Sequence, residues 1–329
     1  MIELDPSAIS GDRTGGADAL GIALGFEGVY TRNLLLPRRF LNCFNISNSR
    51  ILGGRKMPSM DAARRRLRLS DAHVSVLGLL VEEGRVPDEL AGAHAELQEA
   101  GLLDSDSKIS ADLYPLVSTL MEPRVIAQVE NTGPQGLTRS GAVVGDDFIF
   151  THENWPGEAE SEYVPAEPET LVWALSRMVD LHRDFTAEVD SGEVIVSTVG
   201  MLDQVLERME NGEFEEPEAV AVATGAPARL AQALAQLNCM WRMTVVWKGA
   251  GKQQDADGLA VSALSVWDCG LEGYWLREMP AEPVFDGQVD SDSELRARRT
   301  SAKELWQLIT DLLPDGAQLA SPPQPQPAS

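Results

Sequence analysis

The sequence predicts an α+β fold in which two pseudo-symmetric α/β halves surround a central antiparallel sheet with helices packed on it. The first observation is that helices, a strand, a hairpin and a closing helix follow one another in the same order twice. The second is that RVIAQVENTG at 124–133 aligns with RMTVVWKGAG at 242–251, and LVWALSRMVDL at 171–181 with ELWQLITDLLP at 304–314. We expect the halves to share one sheet, because joining them covers one open strand edge of each.

Three helices are predicted to open the first half, with apolar residues at helical spacing in 74–81, 90–97 and 113–120. Ser70 is placed to cap the first helix, Gly101 to end the second, and Pro115 lies in the first turn of the third. A strand at 124–130 follows, and Val143–Val144 and Phe148–Phe150 then predict a hairpin. Pro168 begins the closing helix.

The second half repeats this order. A helix is predicted from Val199 to Met209, and a helical stretch from Pro217 is broken around Gly225 and resumes to Leu237. Alternating residues predict a strand over 241–247, and a hairpin follows between Ala260–Asp268 and Tyr274–Arg277. The last helix begins with the capping-box pattern Ser301-Ala302-Lys303-Glu304. Trp173 and Trp306 occupy equivalent positions in the repeat, and we expect both to be buried.

The chain divides into four segments by composition. Residues 1–59 are rich in Gly, Asn and Arg without a sustained period, and are interpreted either as an unstructured arm or as translation from a start called too far upstream. The N-terminal half then spans 60–185 and the C-terminal half 186–313. Residues 314–329, rich in proline, predict a disordered tail.

Charge and composition exclude several classes of function. The net charge is −24, and the first 56 residues carry seven basic and five acidic side chains, which leaves 20 and 46 for the rest. Such an acidic chain is not expected to bind nucleic acid, since phosphate affinity depends on Lys and Arg. No apolar run approaches the roughly 20 residues of a membrane helix. The three Cys lack metal or disulfide spacing, which favours a reducing cytoplasm.

No catalytic constellation can be assembled from the sequence. The four histidines, His73, His94, His152 and His182, have no second ligand at metal-binding spacing. Phosphate-binding, dinucleotide-binding and nucleophile-elbow motifs are missing from the sequence. Asp146 and Asp147 are most simply turn residues. We therefore expect a binding protein without cofactor or metal, not an enzyme.

Aromatic residues concentrate in the strands of the second half, where two interpretations stay open. They form the core under the helices, or they anchor a partner on one face or edge of the sheet. The candidate loops for a partner are Asn131–Ser140 and Gly249–Gly258. The candidate partner-binding residues on the second reading are Trp241, Trp247, Gly249, Lys252, Gln253, Trp267 and Tyr274.

The order of motifs resembles the EspG family, the cytosolic chaperones of actinobacterial type VII (ESX) secretion. The resemblance lies in LRLSDAHVSVLGLL at 67–80, AGLLD at 100–104, PRV at 123–125 and the hairpin residues Ser265, Asp268, Gly273 and Tyr274. It covers about 67–313. It implies two related α+β halves around an antiparallel sheet, and a cytosolic protein that binds helical PE/PPE- or WXG-type substrates and keeps them soluble for export. It implies no individual contact residue, and it leaves the oligomeric state open.

Two rival interpretations remain at this point. The segment LSDAHVSVLGLLVEEGRVP…ELAGAHAELQEAGLLD can also be read as a winged-helix regulator, with AELQEAGLL as recognition helix and RVIAQVE as wing. Its many carboxylates argue against contact with phosphate. An enzyme without a recognisable motif is the other alternative.

Overall fold

In the computed structural model, one sheet runs through the whole described chain, which comprises residues 58–134, 136–154, 160–182, 192–210, 216–249, 253–254, 259–278 and 290–320. The described strands are β1 (Ser59–Asp61), β2 (Arg66–Ser70), β3 (Val125–Gly133), β4 (Gly136–Val144), β5 (Ile149–Asn154), β6 (Glu160–Ala166), β7 (Val194–Thr198), β8 (Cys239–Trp247), β9 (Gln253–Gln254), β10 (Ala260–Asp268), β11 (Tyr274–Arg277) and β12 (Glu294–Thr300).

Eight helices lie where the apolar stripes predict them, and they are α1 (Asp71–Glu82), α2 (Ala91–Glu99), α3 (Tyr114–Met121), α4 (Leu171–Met178), α5 (Val199–Glu210), α6 (Pro217–Thr224), α7 (Ala228–Ala235) and α8 (Ala302–Leu312). A further described helix, α9 (Gly316–Ala320), was not predicted. Ser70 caps α1, since its Oγ accepts from the His73 backbone N–H at 3.3 Å. Ser301 Oγ accepts from the Glu304 N–H at 3.1 Å. The Glu304 carboxylate, however, accepts from Thr300 and Arg298, so only half of the predicted capping box forms around α8.

The sheet is symmetric about its central pair of strands. β3 and β8 pair antiparallel, with Val125 opposite Trp247 and Thr132 opposite Met240. From this pair outward, the first half runs β3, β4, β5, β6, β2 and the second half runs β8, β10, β11, β12, β7. The predicted fold class, two pseudo-symmetric halves around one antiparallel sheet, is therefore confirmed.

Five strands of each half correspond along this path, with β1 added outside β2 in the first half, whereas the sequence patterns gave three strands per half. The missed strands are the outer ones, β2, β6, β7 and β12. Their sequences, such as RLRLS in β2 and ELRARRT in β12, carry charge at alternate positions because one face of each strand is exposed. Cross-strand ion pairs such as Arg66 to Glu162, at 2.9 Å, then occupy that face.

The two faces of the sheet carry different helices. On one face lie two sets of three helices, the first trio (α1–α3) and the second trio (α5–α7), each packed over the outer part of its own half. On the other face α4 and α8 contact each other and cover the centre of the sheet. Alternation along the strands decides which residues meet which helices. Val125, Ala127 and Val129 of β3 belong to the core under α4 and α8.

Several sequence-based expectations need correction. Asn131–Ser140 is not a loop, because Asn131 pairs with Thr138 and Gly133 with Gly136 across a tight turn between β3 and β4. Trp173 is 66% exposed and Trp306 is half-buried, so the expectation that both are buried is wrong. Their rings contact each other edge to face at 4.4 Å between centroids, where α4 meets α8.

The ends of the described chain also differ from expectation. β1 begins at Ser59, inside the predicted N-terminal arm, and α9 lies inside the predicted disordered tail. Leu319 of α9 packs against the core formed with α4 and α8. The remainder of the arm, residues 1–57, and residues 321–329 lie outside the described residues.

Candidate functional site

The centre of the sheet has one covered face and one face between the two helix trios. On this second face, Gln128 of β3, Thr244 of β8, and Ala263 and Ser265 of β10 keep partial solvent exposure. We call this surface of β3, β8 and β10 the central cleft. None of these four side chains belongs to the core cluster of either trio. On the other face of the same strands, apolar residues such as Val129 and Met243 are buried against α4 and α8.

The register aligns the cleft residues in rows across the sheet. Gln128 lies opposite Thr244, and Thr244 lies opposite Ala263. Because neighbouring strands are about 4.8 Å apart, the three strands span roughly 10 Å between the outer two. An α-helix with its side chains is about 10–12 Å across. The floor of the cleft therefore has the width of one helix.

A second row in the cleft consists of charged and polar residues. Glu130 accepts from Arg139 Nε at 3.4 Å and lies opposite Arg242 on β8. Arg242 in turn lies opposite Ser265 on β10, and Ser265 lies opposite Arg277 on β11. Burial lowers the pKa of Arg277 to about 10, and the charge of Arg242 acts in the same direction while that of Asp203 opposes it. Arg277 therefore remains charged at neutral pH.

The aromatic residues that the sequence offered as partner anchors are core residues. Trp241, Trp247, Trp267 and Tyr274 are each 4% exposed or less. Trp241 and Trp247 lie under α4 and α8, and Trp267 lies under the second trio. Their side chains cannot contact a partner at the surface of this structure, so the prediction is corrected in favour of the core interpretation.

Tyr274 has a defined structural role in addition to packing. Its hydroxyl accepts from the His182 backbone N–H at 3.1 Å and lies 2.9 Å from His182 Nδ1. His182 follows α4 of the first half, whereas Tyr274 begins β11 of the second. This contact ties the end of one half to the sheet of the other. Asp268, from the same hairpin, accepts from the Gly270 N–H at 2.9 Å and fixes the turn before β11.

The three remaining candidates lie in or beside the connection from β8 to β10. Gly249 has φ of 150°, and a Cβ there would lie 2.2 Å from the Gln318 carbonyl oxygen of α9. A close backbone approach to α9 thus explains this glycine without a ligand. Lys252 lies outside the described residues, and of Gln253 only its place in β9 is described. Their contact with a partner stays a prediction.

One serine, histidine and acid do meet in space. His73 Nδ1 accepts from the Ser70 backbone N–H at 2.9 Å and lies 2.8 Å from Ser70 Oγ, while His73 Nε2 lies 3.0 Å from Glu96 Oε2. The ring is buried, and its contacts cap α1 and connect it to α2. Because the backbone N–H already occupies Nδ1, the arrangement acts as a helix cap and not as an activated nucleophile.

The structure also bears on metals, membranes and the winged-helix alternative. Among the described residues, no group of three or more His, Cys, Asp or Glu is placed to hold a metal ion. In the same part of the chain, no helix combines the length and apolar character that a membrane crossing requires. The winged-helix interpretation is wrong, because the proposed wing is β3, a central strand paired on both sides.

Sequence reasoning missed the cleft residues for a physical reason. Gln128, Thr244 and Ser265 are small or polar residues at alternate positions of strands that are apolar on their other face. The alternation over 124–130 predicted the strand, but not which elements cover its two faces. Which residues meet across strands depends on the register, which the sequence did not provide.

No protein-family model and no curated protein matches the chain. A solved structure with a similar fold is that of the Mycobacterium tuberculosis type VII secretion system chaperone EspG5 in complex with the PE25–PPE41 dimer. The identity is 13% and the TM-score 0.45, over 77% of this chain and 99% of that chain. At this identity and TM-score, the likeness says nothing about what this chain binds.

Proposed function

We propose that this protein is a cytosolic chaperone that holds one helix of a secretion substrate in the central cleft. The observation that carries the proposal is the cleft itself, a sheet face one helix wide between two walls of helices. Sheet faces in compact proteins are covered by other elements, and an uncovered one marks a place where a partner docks. Of the elements that the structure describes, α4 and α8 cover the opposite face, and none completely buries the floor residues of this one.

The mixed character of the floor fits a helix that must also be released. Ala263 and Thr244 offer apolar contact, while Gln128 and Ser265 offer hydrogen bonds. A wholly apolar strip would be a hazard for self-association in the free chaperone. The net charge of −24 then favours solubility of the free and the loaded protein.

The class of partner comes from the sequence resemblance to the EspG family. That resemblance implies helical substrates of the PE/PPE or WXG type, transport by type VII secretion, and a cytoplasmic chaperone. We further propose that the protein has no catalytic activity. The described residues 133–134 and 248–249 lie at opposite ends of the cleft floor, as the register of β3 and β8 requires.

The test is co-expression with small helical proteins encoded beside this chain, followed by pull-down and size-exclusion chromatography. Thr244→Trp places a large ring on the floor of the cleft and should weaken the complex at least tenfold. Thr310→Trp makes the same change on the exposed side of α8, on the opposite face, and should leave the affinity within twofold. Equal losses for both variants, or for neither, would place the partner elsewhere.

A further inference from the structure

Arg277 is a charged side chain held in the sheet without the usual partner. Among the described residues, no carboxylate lies within ion-pair distance of the Arg277 guanidinium, and this guanidinium donates no hydrogen bond to any of them. Its neighbours include Arg242, which adds a second positive charge, and Asp203, which compensates only at longer range. Partial burial of a cation without a close counter-charge costs stability in the free protein.

The register places a hydroxyl between the two arginines. Ser265 lies directly opposite Arg242 on one side and opposite Arg277 on the other. Directly opposite Cβ atoms are about 5 Å apart, so the two guanidinium groups extend from positions about 10 Å apart on either side of Ser265. Guanidinium and hydroxyl groups are the donors that carboxylate and phosphate oxygens prefer.

We propose that Arg277, Ser265 and Arg242 form an oxyanion site that binds a carboxylate side chain of the helix held in the central cleft. The inference rests on the proposed function for the source of the carboxylate, but the site itself does not depend on it. All three residues are on the face of the sheet between the trios, and Ser265 and Arg277 retain solvent access.

The position of the site explains how an acidic chaperone could select an acidic partner. The net charge of −24 repels carboxylates from most of the surface. Arg139, at the other end of the row, pairs with Glu130. An acidic residue on the partner is thus favoured at one place in the cleft and disfavoured around it, which fixes the register of the helix.

The first arm of the test uses the free protein and inorganic sulfate. Thermal unfolding is followed in sodium sulfate and in sodium chloride at equal ionic strength, for the wild type, Arg277→Met, Arg277→Lys and the exposed control Arg64→Met. We expect Arg277→Met to melt at or above the wild-type temperature in chloride and to lose at least half of the wild-type gain in sulfate. Arg64→Met should respond like the wild type.

A lowered melting temperature of Arg277→Met with an undiminished sulfate response would overturn the site and leave Arg277 a structural residue. An undiminished response at unchanged stability would overturn it equally. If Arg277→Met does not fold, Ser265→Ala retains both arginines and should still reduce the sulfate gain. An undiminished gain in that variant would again overturn the site.

The second arm measures partner affinity and separates the source of the anion. Arg277→Met should weaken the complex at least tenfold, and Arg64→Met should not change it. Unchanged affinity together with a lost sulfate response would show a site for free anions and overturn the partner's carboxylate as its ligand. If no helical partner is found, the proposed function fails, while the sulfate arm still decides whether the oxyanion site exists.

Discussion

The two halves of the molecule share their order of elements but differ in what they present to the central cleft. The first half contributes Gln128 and the closed ion pair of Glu130 with Arg139. The second half contributes Thr244, Arg242, Ser265 and Arg277, with two arginines around one serine. The frame, which is fixed by packing, is repeated, whereas the polar floor is not. If the proposed function is correct, we expect the second half to carry most of the recognition.

The edges of the sheet differ in the same way. In the first half β1 pairs with the outer strand β2, and Met60 packs against the hydrophobic core under the first trio (α1–α3). In the second half the equivalent outer strand is β7, and no other described strand pairs with it beyond β12. Half-exposed Val194 and Val196 face solvent there. The repeat thus determines five strands per half, and additions such as β1 and α9 differ between the halves.

The largest effect is expected from the hydrophobic core under the second trio (α5–α7). Trp275 is fully buried between β11 and the second trio, and Trp275→Ala should cost about 3–5 kcal/mol of unfolding free energy. Because β3 and β8 join the halves in one sheet, we expect a single transition in denaturant for both wild type and variant. Two unfolding transitions, with only one shifted to lower denaturant concentration in the variant, would instead show that the two halves unfold as independent units.

A smaller effect is expected from acidification. The first half contains all four histidines, so its stability should depend more strongly on acidic pH. Burial lowers the pKa of His152 from its usual 6.5 to about 4. The unfolded chain therefore binds a proton that the folded chain does not, and stability should fall as pH falls from about 6.5 to 4. Since the ring keeps some solvent contact, we expect a loss of about 1–2 kcal/mol.

His152→Asn should flatten this part of the pH profile, as measured by denaturant unfolding at pH 7, 5.5 and 4.5. Profiles that stay parallel for the wild type and the variant would assign the acid sensitivity to other groups.

Removal of β1 should cost a similar amount and sharpen the comparison of the edges. A chain that begins at Met57 retains β1 and should melt like the full-length protein. A chain that begins at residue 62 loses three paired residues and the packing of Met60, which we expect to cost about 1–2 kcal/mol. A loss on removal of 1–56 alone, seen by differential scanning fluorimetry, would show that the arm contributes to the fold.

The smallest effect concerns the place where the two halves meet on the opposite face. Trp173 and Trp306 contact each other edge to face, and such aromatic pairs contribute about 0.5–1.5 kcal/mol. A double-mutant cycle with Trp173→Ala and Trp306→Ala should give a coupling energy in this range. Since Trp173 is mostly exposed, its single substitution should cost far less than that of Trp275. Zero coupling would remove this contact from the interface of the halves.

The sequence was sufficient for the fold class because the strongest patterns lie in the inner strands and the helices. Ser70, Gly101 and the hairpin after Ala260 act locally, and each one is where the pattern indicated. β2 and β12 were missed because one face of each is exposed, so charged residues replace the apolar alternation. Trp173 was predicted to be buried because it is equivalent to Trp306 in the repeat. The prediction failed because equivalence in a repeat does not determine burial where the two halves meet.

The candidate site was less predictable than the fold. Trp241 and Trp267 have the residue type of an interface anchor, but the helices on each face bury them. Ser265 and Arg277 are separated by a hairpin in the sequence and meet only through the register of β10 and β11. Side-chain type alone therefore did not distinguish core residues from partner-binding residues, and the pairing across strands was needed to reveal the cleft.

The most direct test of the central claim is site-specific photo-crosslinking from the floor of the cleft. A benzoylphenylalanine is introduced at Gln128 of β3, and at Gln307 on the exposed side of α8 as the control. In cells that co-express the helical partner, we predict a crosslinked complex from position 128 and none from position 307. Crosslinking from position 307, with none from 128, would place the partner on the opposite face and contradict the account.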